Sequence, residues 1–506
     1  MRCVLWTVVL SVRYPLGTPG NPAPAISYYA VRAMAVTAPP PASTNPFRRV
    51  AEDLRAERRI PGPLPPGPTR FSLTRTRAFV RNPLPVLLEA YEQYGPIFTI
   101  RVLHSPVVFM VGPAANHYMT VSHAENFRWR DGGLGDLVPL LGDGLLTIDG
   151  ETHRTARRIM LPAFHRERTL AAGETILEEA AAALDRWSPG QRLDVYRWTR
   201  ELALRIAMRA LFGFDPREDG SGKELAHEFE VGLGYHGRDY LLQVLRGPGT
   251  PWARMHLARR RIDAVIFAEI ARRRREPAGE RTDLLSLLLD ARDEDGGSLS
   301  DVQVRDQVMT LLFAGHDTTT ATVTFMLYEL ARHPHEIARL VEEQDRVLAG
   351  RSPTAAELVS DLPRLDAALD ETLRLYPAAW VGPRRAARSF EFAGHTVPAG
   401  VLVNYSSWVS HRLPEVFPDP EAFVPDRFTP ENRSRLPKGA YVPFGGGSRI
   451  CLGMRFGQLE IKALLTLILQ RFRLELAPGR EMTVHPTPTL GPRDGLPMVV
   501  RARRGH

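Results

Sequence analysis

Cysteine is nearly absent from the 506-residue chain: there are two, Cys3 and Cys451. That count excludes a disulfide framework, an all-cysteine structural zinc site and a four-cysteine iron–sulfur cluster. Lysine is almost as scarce. Of 65 lysines and arginines, only Lys223, Lys438 and Lys462 are lysine. Arginine codons are GC-rich, so the bias reflects the genome more than a polyanionic partner. The densest basic runs, Arg259–Arg261 and Arg272–Arg275, fall in a helical pattern from about Pro251 to Glu276. There they read as a solvated helix face, not a nucleic-acid patch. No apolar run approaches the roughly 18 residues of a membrane span, so no integral anchor is expected. Acids are missing before Glu52, while arginines, prolines and alanines are frequent there. The apolar stretch Cys3–Val12 lacks a tidy cleavage site after it. Residues 1–59 are therefore expected to be a disordered extension, with Met34 a candidate true start, and the protein is expected in the cytoplasm.

What is present is ordinary globular material, 44% hydrophobic and 24% charged. The length allows three average domains or one large fold. After the stiff stretch Ile60–Pro68 (IPGPLPPGP), Pro83–Tyr94 reads as helix, and Ile97–Leu103 with Pro106–Val111 as a strand pair. Helical patterns dominate from Ala163 to Arg292, and strands return over Phe390–Asn404. The fold class is mainly α with a minor β region.

One helix stands apart. Ser300 with Gln303 forms a capping-box start, and Pro334 stops the pattern after Arg332. At about 1.5 Å per residue this rod is roughly 48 Å long, enough to cross a domain. Its middle reads Ala314-Gly315-His316-Asp317-Thr318-Thr319-Thr320. Glycine and β-branched residues are poor helix formers and a buried aspartate is costly, so local and global signals conflict there. Such conflicts concentrate at functional sites.

Cys451 lies in Phe444-Gly445-Gly446-Gly447-Ser448-Arg449-Ile450-Cys451-Leu452-Gly453, ahead of a helical pattern running to about Phe472. Free N–H groups and the dipole at a helix start both lower a thiol pKa. The loop lacks the rest of a dinucleotide fingerprint and the Lys-Ser/Thr of a P-loop. A thiol phosphatase would need an arginine where Gly457 stands. A buried inert cysteine is the bland alternative, and a thiolate ligand to heme iron suits the loop.

Phe444–Gly453 resembles, position by position, the heme-binding signature of the cytochrome P450 family. Four further segments agree in order. Ala314–Thr319 is similar to the oxygen-activation motif of the long central helix, and Glu371-Thr372-Leu373-Arg374 to the Glu-x-x-Arg motif. Phe423–Phe428 is similar to the segment before the heme loop. His153-x-x-x-Arg157 resembles the variant with His in place of the commoner Trp. The resemblance covers about residues 60–506 and implies a P450 heme domain with the long helix over heme b.

It further implies Cys451 as the iron ligand, with Phe444 in the heme contact. Arg449, Arg157, His153 and, more weakly, Arg384 would face the heme propionates, as cations. Glu371, Arg374 and Arg427 would form a buried structural triad. Asp317 and Thr318 would relay protons during O2 reduction. The Thr318 hydroxyl is placed to bond the Ala314 carbonyl, displace the backbone bond and open the helix. His316 fills a variable position and receives no role. An apolar pocket is expected from Leu134, Leu137, Val138, Phe313, Trp380 and Val381.

The reaction implied is insertion of one oxygen atom from O2 into an apolar organic substrate. A peroxygenase using hydrogen peroxide and a non-catalytic heme sensor or carrier stay open as alternatives. Electrons would come from a ferredoxin or flavodoxin with its NAD(P)H reductase, since the stretch after Phe472 is short for a flavin domain. Arg154, Arg158 and Arg455 are candidates for docking such an acidic partner. A monomer is expected.

Overall fold

The structure is a computed structural model that describes residues 46–60, 62–214, 220–238, 240–243, 245–275, 283–292, 298–479 and 482–503. The first 45 residues of the expected extension lie outside the described residues. Its last part does not match a disordered tail: α1 (Pro46–Glu57) is a helix. An i,i+4 pair, Arg48 Nε to Glu52 Oε1 at 2.9 Å, lies along it, and Glu57 at its end pairs with Arg101. The lead-in then lies along the first strand, with Thr99 N–H donating to the Pro66 carbonyl at 2.8 Å.

Helix α2 (Pro83–Tyr94) starts where the Asn82 side chain accepts from Leu84 N–H, and ends at Gly95 with φ 80°. Strands β1 (Ile97–Val102) and β2 (Ser105–Met110) pair antiparallel, with Ile97 opposite Met110. With β3 (Phe127–Arg128), β5 (Gly382–Ala386) and β6 (Leu402–Tyr405) they form a sheet ordered β1-β2-β6-β5-β3. Alternation along the strands divides the apolar residues between two clusters. Phe98, Ile100 and Phe109 join Leu87 of α2, while Ile97, Val108 and Met110 face the other way. A second sheet, in the order β4-β8-β7, is built from β4 (Arg192–Asp194), β7 (Phe472–Leu476) and β8 (Pro497–Ala502).

The rest is helical: α3 (Gly150–Met160), α4 (Arg166–Leu184), α5 (Val195–Phe212), α6 (Gly220–His236), α7 (Pro251–Arg275), α8 (Asp301–Arg332), α9 (Pro363–Leu375) and α10 (Met454–Arg471), among shorter elements. Helix α8 is the expected rod, and both halves of the Ser300–Gln303 capping box are formed. It packs against α5, α9 and α10. Near its C-terminal end Phe325 stacks on Tyr376 with centroids 4.3 Å apart, and the Tyr376 hydroxyl donates to Glu329 at 2.6 Å. Burying a side chain such as Phe325 contributes roughly 1.5–3 kcal/mol. Polar residues near the start of α8 hold the loop before α3. Asp306 Oδ2 accepts from Asp143 N–H at 2.8 Å, and Gln307 Oε1 accepts from Leu145 N–H at 2.9 Å. The Glu371–Arg374–Arg427 cluster is present: Glu371 and Arg374 are buried on α9 with Arg374 Nε 2.7 Å from Glu371, and the half-buried Arg427, from the turn Pro425–Phe428, places its Nε 3.4 Å away.

Candidate active site

The cysteine loop is shaped by glycines where side chains have no room. Gly447 has φ 59°, and a Cβ there would stand 2.1 Å from the Thr120 carbonyl oxygen. A Cβ on Gly446 would stand 2.7 Å from Thr120 Oγ1. The loop closes when Cys451 N–H donates to the Phe444 carbonyl at 3.0 Å. Phe444 itself packs against the large helical core. Cys451 keeps a solvent-accessible face although protein surrounds it densely. The thiol pKa is raised, not lowered: burial dominates, and the Gly453 N–H and the Arg157 charge oppose it without prevailing. The helix begins only at Met454, so its free N–H groups serve the sulfur less than the motif suggests.

The four expected propionate partners divide. Arg157 Nη2 donates to the Ile450 carbonyl at 2.8 Å, which fastens α3 to the cysteine loop. His153 is buried, and burial, with Arg449, Arg157 and Arg154 nearby, lowers its pKa to about 3. Without an anion beside it the imidazole is neutral near pH 7, and a propionate at this place would oppose the burial and the three arginines. Arg449 pairs with Asp149 at 2.8 Å and donates to the Ile148 carbonyl at 2.9 Å. Arg384 is buried on β5 and donates to the Pro383 carbonyl at 2.8 Å. Among the described residues no carboxylate lies within ion-pair reach of it. Burial lowers the pKa of Arg384 and of Arg449 to about 10. A buried guanidinium without a carboxylate calls for an anionic ligand.

Helix α8 carries the other half of the site. From Val304 to Leu327 every residue is buried except Ala314, Gly315 and Thr318. These three make one accessible stripe in the middle of the rod, and a Cβ on Gly315 would meet nothing within 4 Å. Thr318 Oγ1 donates to the Ala314 carbonyl at 2.6 Å, as expected. The helix nevertheless runs unbroken, which corrects the expected opening. A carbonyl oxygen has two lone pairs and can accept the hydroxyl without leaving the ladder. Thr320, Thr322 and Thr324 make the same i−4 bond. The first turns of α10 reach this region, since a Cβ on Gly457 would lie 3.7 Å from Thr319 Oγ1.

Asp317 points into a partly buried ionic cluster that the sequence did not disclose. Arg200 of α5 stands 2.8 Å from Asp317 and 3.0 Å from Glu230 of α6. His316 Nε2 lies 3.0 Å from Glu230 and its Nδ1 3.4 Å from Asp317. Burial works against the Arg200 charge, but Asp317 and Glu230 outweigh it and raise its pKa. Glu230 is held below the usual carboxylate range, because His316 and Arg200 outweigh its burial. His316 is thus a member of the Asp317 cluster, where the sequence assigned it nothing. Of the expected pocket residues, Leu134, Leu137 and Phe313 belong to the large helical core. Trp380 and Val381 belong to the cluster beside β1, where the Trp380 indole donates to the Pro486 carbonyl at 2.7 Å.

The family model for cytochrome P450 matches residues 61–493. The chain belongs to the cytochrome P450 family. Cyclooctatin synthase of Streptomyces melanosporofaciens is 36% identical over 429 residues, covering 82% of this chain and 91% of that protein. Cyclooctat-9-en-7-ol 5-monooxygenase of the same organism is 34% identical over 416 residues, covering 80% and 88%. Among solved structures, retinoic acid-bound cyanobacterial CYP120A1 superposes with a TM-score of 0.77 at 29% identity, covering 87% of this chain and 99% of that one. The cytochrome P450DA heme domain gives 0.78 at 28% identity, covering 88% and 99%. The protein is a P450 monooxygenase that binds heme b. The residues present fit that cofactor: an accessible cysteine in a glycine-shaped loop, and the buried Arg384 guanidinium with no carboxylate at ion-pair distance. Among the described residues, no helix is long and apolar enough to cross a membrane.

Proposed function

We propose that this P450 inserts one atom of O2 into an apolar organic substrate, drawing electrons from a separate, acidic ferredoxin or flavodoxin with its NAD(P)H reductase, in the cytoplasm. Heme b, when bound, supplies an iron centre at which O2 is activated. Cys451 provides the thiolate that ligates it, and Phe444 packs beside that ligand. Arg384, Arg449 and His153 would hold the propionates, and Arg157 holds the cysteine loop in place. Residues 60–506 are the heme domain in this reading.

The observation that carries the proposal is the stripe of Ala314, Gly315 and Thr318 in an otherwise buried helix. It leaves one hydroxyl, already bonded to the Ala314 carbonyl, open to a small molecule. Thr318 holds a proton at that surface, and Asp317, next in the chain, resupplies it as a general acid when its carboxylate leaves Arg200 and takes up a proton. Leu134, Leu137, Val138 and Phe313 wall the substrate side, joined by Trp380 and Val381. The Streptomyces relatives and the retinoic acid complex, all named for small organic molecules, support this substrate class. Thr318→Ala should keep heme and substrate binding but lower product formed per NAD(P)H consumed. An unchanged ratio would remove the relay.

A further inference from the structure

The indole of Trp129 lies between the two elements that carry the propionate arginines. The Arg384 guanidinium carbon is 3.4 Å from its ring centroid, and that of Arg449 is 4.8 Å away. The backbone around it is pinned from one side. Asp149, just before α3, accepts from Trp129 N–H at 3.0 Å and from Arg130 N–H at 3.0 Å, and pairs with Arg449 at 2.8 Å. Arg130 in turn is buried and paired with Asp143. The ring is therefore held by its backbone, not only by what it touches.

Two desolvated guanidiniums repel one another, and Arg384 indeed contributes to lowering the Arg449 pKa, after burial and against Asp149. The negative face of an indole offsets that repulsion without neutralising either charge. Asp149 pairs with Arg449 and acts on Arg384 only from beyond ion-pair distance, so one carboxylate serves two guanidiniums and the pair keeps a net positive charge. We propose that Trp129 is a positioning residue for heme: it holds Arg384 and Arg449 as one preformed cradle for the propionates. This rests on the assignment of those arginines to heme, and it adds to it a residue outside every motif of the loop or of α3.

The test is the rate of heme transfer from the holoprotein to excess apomyoglobin. Trp129→Ala should release heme about tenfold faster, since it removes two cation–π contacts. Trp129→Phe keeps a ring face and should stay within about threefold of wild type. Arg384→Gln should also accelerate release. The double variant Trp129→Ala/Arg384→Gln should be only slightly faster than Arg384→Gln, because the ring acts through the arginine. A purely structural tryptophan would give multiplied effects in the double variant and no rescue by phenylalanine, and that result would overturn the proposal. If Arg384→Gln and Arg449→Gln both left release unchanged, the cradle assignment itself would fall and this inference with it. If they accelerated release while Trp129→Ala did not, only the role of Trp129 would fall.

Discussion

Arg374 and Arg384 lie close in sequence and are both hidden from solvent, yet their surroundings are opposite. Arg374 is closed. Glu371 meets it with two bonds of 2.7 and 2.8 Å, and the carbonyls of His411, Pro420 and Ala422 accept its remaining donors at 3.0, 2.7 and 2.9 Å. Arg384 donates to one carbonyl, lies over the rings of Trp129 and Tyr405, and feels the Asp149 charge only from beyond ion-pair distance. A buried charge whose bonds are complete within the chain belongs to the fold. One left incomplete, and pushed down in pKa, is placed for something the chain does not supply. By this criterion the Glu371–Arg374 pair is architecture and Arg384 is site, with Arg449 beside it sharing the same indole.

The largest effect should come from opening the closed cluster. Glu371→Gln leaves Arg374 as a buried charge without its partner, at a cost of about 3–5 kcal/mol. Little or no folded, heme-loaded protein should be recovered, as measured by the yield of soluble chain with a Soret band. A normal yield would show that the triad is dispensable. The same operation on Arg384 should have the reverse signature. Arg384→Leu removes an uncompensated buried charge, so the chain should still fold, while heme retention drops by at least about tenfold. Loss of the fold along with the heme would erase the contrast.

Protonation offers a subtler way into the closed cluster. His411 is fully buried, and its Nε2 accepts from Val442 N–H at 2.9 Å, so that nitrogen must stay unprotonated. Burial first, then the Arg374 charge, lowers its pKa to about 3. The unfolded chain binds this proton near pH 6.5 and the folded chain does not. Stability is therefore intact above pH 6.5 and falls, on this residue's account, by about 1.4 kcal/mol per pH unit between there and pH 3. Denaturant midpoints across pH 7 to 4.5 should show that slope, reduced by one proton in His411→Asn. An equal slope in both would mean His411 is already protonated in the fold.

The smallest effect concerns the surface arginines. Arg154 is exposed and already paired with Glu151, so its charge is largely spent locally. Arg455 is exposed, and among the described residues no carboxylate pairs with it. Arg455→Glu should slow reduction by an acidic ferredoxin several-fold at low salt and little at high salt. Arg154→Glu should do less. Equal indifference of both would remove the docking surface but not the need for a partner.

What the sequence made legible was local. The span and cap of α8, the Glu371–Arg374 spacing on one helix face and the Thr318–Ala314 bond all depend on residues within a turn of each other. What it hid depends on tertiary neighbours. Arg200 reaches Asp317 from α5, and in a chain this rich in arginine nothing in its own segment sets it apart. Trp129 and Asp149 sit outside the recognisable motifs and matter only because β5 and the cysteine loop bring arginines to them. Helix α1 was hidden by proline and arginine, although Glu52 and Glu57 were its signal. The thiol environment was misread for a similar reason: the dipole argument is local, whereas burial of Cys451 comes from the packing of the whole loop.

The central claim is that Cys451 ligates heme iron. Its most direct measurement is the absorption spectrum of the reduced carbonyl complex in wild type and in Cys451→Ala. The wild type should show the red-shifted Soret band of thiolate ligation, and Cys451→Ala should lose that band whether or not it retains heme. A Cys451→Ala protein that kept the red-shifted band would contradict the account.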